Sequence, residues 1–128
     1  LLGGYELTIS DRNVITTGIK MTYAGGKLST PVDTLASIAA KELIFIDSLT
    51  NTLQLKDYFR FDLKLAYRIN SKKNKVTHEI AIDLVNSFDV QNVLGLTYAP
   101  NPADITISPI KEEYQLGFLP LFYYKIDF

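Results

Sequence analysis

The sequence predicts an all-β protein, an antiparallel meander of about five strands, and three observations support this prediction. Apolar residues recur at every second position over several stretches, which is the period of a strand with one apolar face. Short polar segments rich in turn-forming residues separate some of these stretches. No stretch approaches the roughly 20 consecutive apolar residues of a membrane-spanning helix, so the sequence excludes a helical membrane protein.

The composition excludes several functional classes. Cysteine is absent, which removes disulfides and thiolate metal sites. The formal net charge is −1 without a long run of one sign, so electrostatics give no reason to expect nucleic acid as a partner. No Ser/His/Asp, Cys/His or paired-carboxylate arrangement stands out, and we therefore expect no enzyme, no cofactor and no metal. The chain begins with Leu1-Leu2-Gly3-Gly4 and not with Met, from which we expect the start of the protein to be missing.

The last segment, residues 114–128, contains the most aromatic alternation. Its alternate positions are apolar or aromatic up to the terminal residue, and Lys125 and Asp127 lie between them near the end. Such a strand suits a wall with lipid outside and water within. Pro120 interrupts the pattern, and we expect a bulge there because proline cannot donate to the ladder. The alternating residues are Tyr114, Leu116, Phe118, Phe122, Tyr124, Ile126 and Phe128.

Two further strands are expected near the start of the chain. Residues 1–10 contain a short alternation, and Asp11-Arg12-Asn13 then supplies a tight turn. Residues 14–23 form a second strand with one apolar side. Gly25-Gly26 lacks the spacing and the following helix of a phosphate loop, so we interpret it as the turn that ends this strand.

Residues 27–56 break the strand pattern and predict a short helix inside a long loop. Thr30 supplies an N-cap, Pro31 the first helical position and Asp33 a carboxylate in the first turn, ahead of an alanine-rich run over 35–43. Residues 43–46 predict a brief extended segment in the same loop.

The clearest strand covers residues 59–69, and a second strand over 76–84 follows the polar turn of residues 70–75. Unpaired charges are too costly for a dry interior, so the charged side of this hairpin faces water. The apolar side contains Phe59, Phe61, Leu63, Leu65, Tyr67, Ile69, Ile80, Ile82 and Leu84, and the charged side contains Arg60, Asp62, Lys64, Arg68, Glu79 and Asp83.

Charge pairing predicts the register of this hairpin. Opposed residue numbers must sum to an odd value if each face is to stay uniform. A sum of 145 sets Asp62 against Asp83, whereas 147 sets Arg68 against Glu79 and Lys64 against Asp83 and centres the turn on Lys73-Asn74. We predict the sum of 147 because it pairs opposite charges.

Prolines 100, 102 and 109 mark a second long connection before the final strand. Short turns thus alternate with long loops along the chain. Outer-membrane barrels are built in this way, with the long loops outside the cell.

Several motifs resemble the C-terminal end of TonB-dependent outer-membrane receptors of Bacteroidetes type. The resemblance covers nearly all of residues 1–128, and the tail is its most specific part. It is carried by Gly25-Gly26, Thr30-Pro31, Asp57 to Leu63, Tyr67-Arg68, Thr77-His78-Glu79, Asp83-Leu84, Asn86, Gln91-Asn92-Val93, Tyr98, Gln115-Leu116-Gly117, Pro120, Tyr124 and Phe128.

The resemblance implies the last five strands of a 22-stranded barrel that is filled by an N-terminal plug and imports a scarce ligand. The plug, the segment that TonB grips and the earlier strands have no counterpart here, so TonB would act only through the missing part. The implied location is the outer membrane of a Gram-negative cell, with lipid, the remaining barrel and the plug as partners. Phe122, Tyr124, Ile126 and Phe128 would form the signal read by the barrel-assembly machinery.

Several features have a structural interpretation beside the functional one. The six charged residues either contact ligand or plug, or form a ladder of paired lumen charges, and we favour the ladder. His78 lies on the lipid-facing side and is interpreted as a rim residue, since the sequence supplies no metal partners. The loop over 27–56 is the best candidate for ligand or plug contact, with a lid that has no specific partner as the equal alternative.

The main alternative function is a soluble antiparallel barrel or sandwich that acts as a ligand-binding module. In that case the apolar side chains, including Phe61, Leu65 and Ile82, would point into a closed core. An autotransporter end is a third possibility, which the long loops disfavour.

Overall fold

The computed structural model describes residues 1–71, 76–104 and 106–128, and the described chain is mainly β-structure. The predicted all-β class, with an antiparallel sheet of five strands and one short helix, is confirmed. The elements are β1 (Leu2–Ser10), β2 (Asn13–Ala24), β3 (Leu28–Ser29), α1 (Thr34–Ala40), a 3₁₀ turn (Asp47–Leu49), β4 (Leu53–Gln54), β5 (Tyr58–Asn70), β6 (Thr77–Val85), β7 (Val93–Tyr98), β8 (Ile110–Tyr114) and β9 (Leu119–Asp127).

The chain divides into two compact units. Unit 1 comprises Leu1–Tyr23, Phe59–Val90 and Gly117–Phe128, and unit 2 comprises Ala24–Tyr58 and Gln91–Leu116. Strands β1, β2, β5, β6 and β9 form the sheet of unit 1, and most of the two long connections forms unit 2.

The sheet of unit 1 has the strand order β1-β2-β5-β6-β9. The turn at Asp11-Arg12 joins β1 to β2, with a register shift between Thr8 and Ser10. The Asn70 N–H donates to the Arg12 carbonyl over 2.8 Å, so this turn and the end of β5 lie at the same end of the sheet. The predicted turn centre at Lys73-Asn74 lies outside the described residues.

The predicted register of the central hairpin is confirmed. Arg68 lies opposite Glu79 and Lys64 opposite Asp83, so the paired numbers sum to 147. Strand β9 pairs with the other side of β6 without a register shift. Each row of side chains therefore continues across β5, β6 and β9.

The prediction of one strand over residues 114–128 was wrong in two respects. Tyr114 ends β8, which pairs with β7 in a separate hairpin, and the final strand begins at Leu119. Pro120 pairs regularly with Leu84, and no bulge occurs there. The reason is its place near the start of an edge strand, where one side of the backbone has no neighbour in the described sheet to which it could donate.

Unit 2 contains two small two-stranded antiparallel sheets, β3–β4 and β7–β8, together with α1. The predicted helix is confirmed, but its predicted start, with Thr30 as the N-cap, was wrong. Asp33 is the N-cap, and its carboxylate accepts from the Ala36 N–H over 2.9 Å. Val32 forms an isolated antiparallel bridge with Phe45, which keeps the chain before the helix extended. That bridge also bears out a brief extended segment near Phe45.

The described residues contain no closed hydrophobic core. Apart from Pro109, the buried apolar side chains among them are Val14, Ala66 and Ala81. The sheet of unit 1 is therefore a single layer whose two faces differ in chemistry. Among the described helices, none is both long and apolar enough to cross a membrane.

Candidate functional site: the two faces of the sheet

One face of unit 1, called the apolar face here, consists of rows that run across three strands. Directly opposed side chains are Leu65–Ile82–Phe122, Tyr67–Ile80–Tyr124 and Ile69–His78–Ile126. Leu65 is 52% exposed, Ile80 57% and Phe122 76%. Large apolar side chains are therefore exposed at positions that a hydrophobic core would bury.

The apolar face continues onto β2. Gly18 lies against Lys64, because an added Cβ at Gly18 would be 3.6 Å from the Lys64 Cβ. Neighbouring residues of a strand point to opposite faces. Ile19 and Met21 consequently share the face of Leu65, and both are exposed.

An aromatic stack covers part of the apolar face at one end. The Phe88 ring lies parallel to that of Phe61 with 4.8 Å between centroids, and 6.4 Å from that of Phe59. Phe59 and Phe61 are therefore half-buried beneath an aromatic residue that sequence reasoning missed. Phe88 belongs to a turn after β6, and the strand pattern gave no signal for it.

His78 lies on the apolar face, as its parity predicted. Its Nδ1 and the Tyr124 hydroxyl share a hydrogen bond of 2.7 Å, and the two rings stack at 6.1 Å. The sequence did not reveal this partner, because the register of β9 was not predicted.

The opposite face, called the charged face here, carries charged side chains, several of which pair with an opposite charge. Arg68 Nε lies 3.2 Å from Glu79 Oε2. Arg60 contacts Asp62 at 3.0 Å, and Lys64 Nζ lies 5.1 Å from the centre of the Tyr123 ring. All six predicted charged residues belong to β5 or β6.

Strand β9 extends the charged face with Lys125, which lies opposite Glu79 and forms an ion pair of 2.9 Å with Asp127. Ala66 and Ala81 lie opposite each other between the charged rows and are buried. Arg68 and Glu79 pair across strands, as a ladder of charges would, whereas Arg60–Asp62 and Lys125–Asp127 pair within one strand.

A buried asparagine, Asn86, organises the turn after β6. Its side chain accepts from the Val90 N–H at 3.1 Å and donates to the Val90 carbonyl at 3.0 Å. Its own N–H donates to Asp62 Oδ1 at 3.0 Å, which links the turn to the charged face. Its φ of 51° lies in the left-handed region that asparagine tolerates.

The same turn is connected to the start of the final strand. Asp89 Oδ1 accepts from the Phe118 N–H at 2.8 Å. A Cβ at Gly117 would lie 2.5 Å from that oxygen, so a larger residue there would have to displace the Asp89 carboxylate from the Phe118 N–H. Asn86 and Gly117, noted above for the resemblance, thus have structural roles.

In unit 2, the loop over residues 27–56 contacts strand β8 through an exposed cluster of three side chains. Lys56 Nζ contacts Glu112 Oε2 at 2.7 Å, and the Tyr114 hydroxyl donates to the same oxygen at 2.8 Å. Hydrogen bonds from Lys56 and then Tyr114 lower the pKa of Glu112, and the pKa of Lys56 is raised by Glu112. This cluster can link the loop over residues 27–56 to strand β8.

Two further features of unit 2 are structural. The Gly26 N–H donates to Asp57 at 2.9 Å, and a Cβ at Gly26 would overlap the Leu55 carbonyl. Ser37 is fully buried, and its hydroxyl accepts from the Ile44 N–H at 2.9 Å. No group of three metal-ligating side chains occurs in the part of the chain that the structure describes.

Comparisons with protein-family models, with curated proteins and with solved structures found no match to this chain. None of them therefore identifies a TonB-dependent receptor.

Proposed function

We propose that the chain is the C-terminal section of a TonB-dependent outer-membrane receptor, which forms barrel wall and extracellular loops for import of an unidentified ligand. The observation that carries the proposal is the exposed apolar face of unit 1, backed by a face of paired charges. A barrel wall with lipid on one side and water on the other needs this contrast.

Strand lengths and connections give further support. Strand β5 has 13 residues, and β6 and β9 have 9 each, whereas a tilted transmembrane strand needs about 9 to 11. The connections from β1 to β2 and from β5 to β6 are short, whereas those from β2 to β5 and from β6 to β9 are long. On this proposal, the long connections are extracellular.

The soluble binding module has less support. That alternative requires a closed core containing Phe61, Leu65 and Ile82. Leu65 is exposed, and Phe61 and Ile82 are only half-buried.

Cell fractionation tests the proposal. In cells that carry the gene, an antibody against this chain should detect it in the outer-membrane fraction. The antigen should resist extraction with high salt and alkaline carbonate and be released by detergent. Recovery in the soluble fraction without detergent would contradict the proposal.

A further inference from the structure

Strand β1 forms one edge of the sheet of unit 1, because β2 is its one neighbour in the described sheet. Leu1 and Met21 exchange both backbone hydrogen bonds, each over 2.9 Å. Hydrogen-bonded pairs recur at every second residue of an antiparallel ladder. The register therefore directs the backbone groups of Gly3, Tyr5 and Leu7 toward β2. The residues whose backbone groups point away from the sheet are Leu2, Gly4, Glu6 and Thr8.

This free edge of β1 has few of the features that keep edge strands from pairing with another strand. It contains no proline, and Glu6 is its one charged residue. Its register shift lies at the far end, between Thr8 and Ser10. Natural edge strands are usually short, charged or distorted. A regular edge in a strand of nine residues therefore indicates that β1 takes a partner strand.

The register of β1 determines which side chains such a partner needs. The described strand pairs are antiparallel, and directly opposed residues of an antiparallel pair share a face. Gly4 lies opposite Gly18, which lies against Lys64 on the charged face. Glu6 shares that face, because it is two residues further along the strand. The partner residues that exchange hydrogen bonds with β1 must suit the charged face, and those between them must be apolar.

Two facing glycines leave the backbone uncovered at the centre of this edge. Neither Gly4 nor Gly18 has a positive φ, so the backbone conformation does not require glycine at these positions. Glycine inside a strand weakens it and often marks a place where another group approaches closely. A mainly apolar cavity of about 260 Å³ adjoins them, with Leu2 and Gly18 in its lining. An aromatic side chain opposite Gly4 would cover this backbone and extend toward the cavity.

We propose that the free edge of β1 binds a further β-strand, antiparallel to it, with an aromatic residue opposite Gly4 and a basic residue opposite Glu6. The basic residue complements the one carboxylate of the edge. Backbone hydrogen bonds supply the affinity, and the side chains select the register. The proposal concerns the edge of the sheet alone, so it holds whether or not the apolar face contacts lipid.

A titration with a synthetic peptide tests the proposal on the full chain, in detergent micelles or in buffer, whichever keeps it folded. The peptide acetyl-Thr-Val-Lys-Val-Tyr-Val-Thr-amide places its lysine opposite Glu6 and its tyrosine opposite Gly4. The readout is the backbone amide resonances of isotope-labelled protein. We expect saturable shifts and slower hydrogen exchange at Gly4 and Glu6. The amides of Gly3 and Tyr5, which already bond to β2, should change little.

Backbone methylation of the peptide tests which of its amides face β1. N-methylation of the lysine and the tyrosine removes two donors to the edge, so binding should weaken by about tenfold or more. N-methylation of the two valines that flank the lysine is the control. Their amides point away from β1 in the proposed register, so the affinity should stay within about threefold of that of the parent peptide.

Two variants at one position test the same edge from the side of the protein. Glu6→Pro removes a donor from the free edge and keeps the ladder to β2, so it should weaken binding by about tenfold or more. Glu6→Gln keeps the donor and removes only an exposed charge pair. Its loss should be about threefold or less.

A change in the peptide tests the aromatic residue opposite Gly4. Replacement of its tyrosine by threonine should weaken binding to the parent chain by about threefold. In Gly4→Thr the new side chain covers the backbone, and the two peptides should bind equally.

Absence of a saturable shift in the parent chain, or equal losses for the two methylated peptides, would overturn the proposal. Equal binding of the tyrosine and threonine peptides by the parent chain would overturn the aromatic residue opposite Gly4. Contacts between Lys64 and Asp83 in nuclear Overhauser spectra verify the sheet register in every variant.

Discussion

On the charged face of the sheet, several charged side chains form ion pairs within the sheet, whereas on the apolar face large apolar side chains remain exposed. Arg68 and Glu79 form an ion pair, and one strand position away Tyr67 and Ile80 are exposed. The same backbone register produces both faces, because successive side chains alternate. Most charges named on the charged face are thus compensated within the sheet, while the apolar face exposes a continuous patch of large apolar side chains.

A charge on the apolar face should have the largest effect on stability. Leu65→Arg is expected to lower the unfolding free energy in lipid vesicles by about 2 to 4 kcal/mol, because the arginine would face hydrocarbon. Denaturant titration of the reconstituted chain measures this change. Lys64→Arg, at the adjacent position on the other face, is the control and should change little. Equal, small effects at both positions would contradict the difference between the faces.

Removal of the Asn86 side chain should have the next largest effect. Asn86→Ala removes both hydrogen bonds that the Asn86 side chain makes with Val90 and places alanine at a positive φ. We expect a loss of about 2 to 3 kcal/mol, measured by denaturant unfolding.

Ser87→Ala is the control for this variant, because it removes a single hydrogen bond to the Leu84 carbonyl in the same turn. Its loss should be about 1 kcal/mol or less. If the two variants were equally stable, the side chain of Asn86 would not organise the turn after β6.

The ladder of paired charges should contribute less for each pair. A double-mutant cycle with Arg68→Met and Glu79→Gln is expected to give a coupling of about 0.5 to 1 kcal/mol that decreases with salt, since the Arg68 side chain is 39% exposed. The matched cycle for Lys125 and Asp127, exposed by 59% and 54%, should give a coupling near zero. The reverse order would show that burial does not determine the strength of these pairs.

The exposed cluster of unit 2 should show the smallest effect, as a pH dependence. Because Lys56 and Tyr114 lower the pKa of Glu112 in the folded chain, the cluster stabilises the fold above the ordinary carboxylate pKa. This contribution is lost as the pH falls through the lowered value. Carboxyl resonances followed by NMR should give a pKa for Glu112 below that of an unpaired glutamate, and Tyr114→Phe should raise it. A pKa unchanged by that substitution would contradict the hydrogen bond.

The fold could be predicted from the sequence where local pattern and long-range pairing agree. Alternation defined both strands of the central hairpin, and opposite charges at Arg68 and Glu79 selected its register. Tyr114 is an exception, because its parity fits the final strand but it pairs with Val93 in another sheet. Apolar residues at alternate positions do not distinguish one strand from two successive strands whose apolar residues keep the same parity.

The candidate site was predictable in its chemistry but not in its contacts. The parity of Asp83 placed it on the charged face, yet the burial of its unpaired Oδ1 depends on neighbouring strands that meet only in the folded sheet. Likewise, Phe88 and Tyr124 find Phe61 and His78 through turns and registers that no local pattern specifies.

Fluorescence quenching at two neighbouring positions of β9 tests the central claim most directly. The chain contains no tryptophan, so Phe122→Trp and Tyr123→Trp each introduce a single reporter, on the apolar and charged faces respectively. In vesicles containing brominated lipids, the account predicts strong quenching of the tryptophan at position 122 and little at position 123. Equal quenching at both positions, or quenching only at position 123, would contradict a sheet with one lipid-facing side.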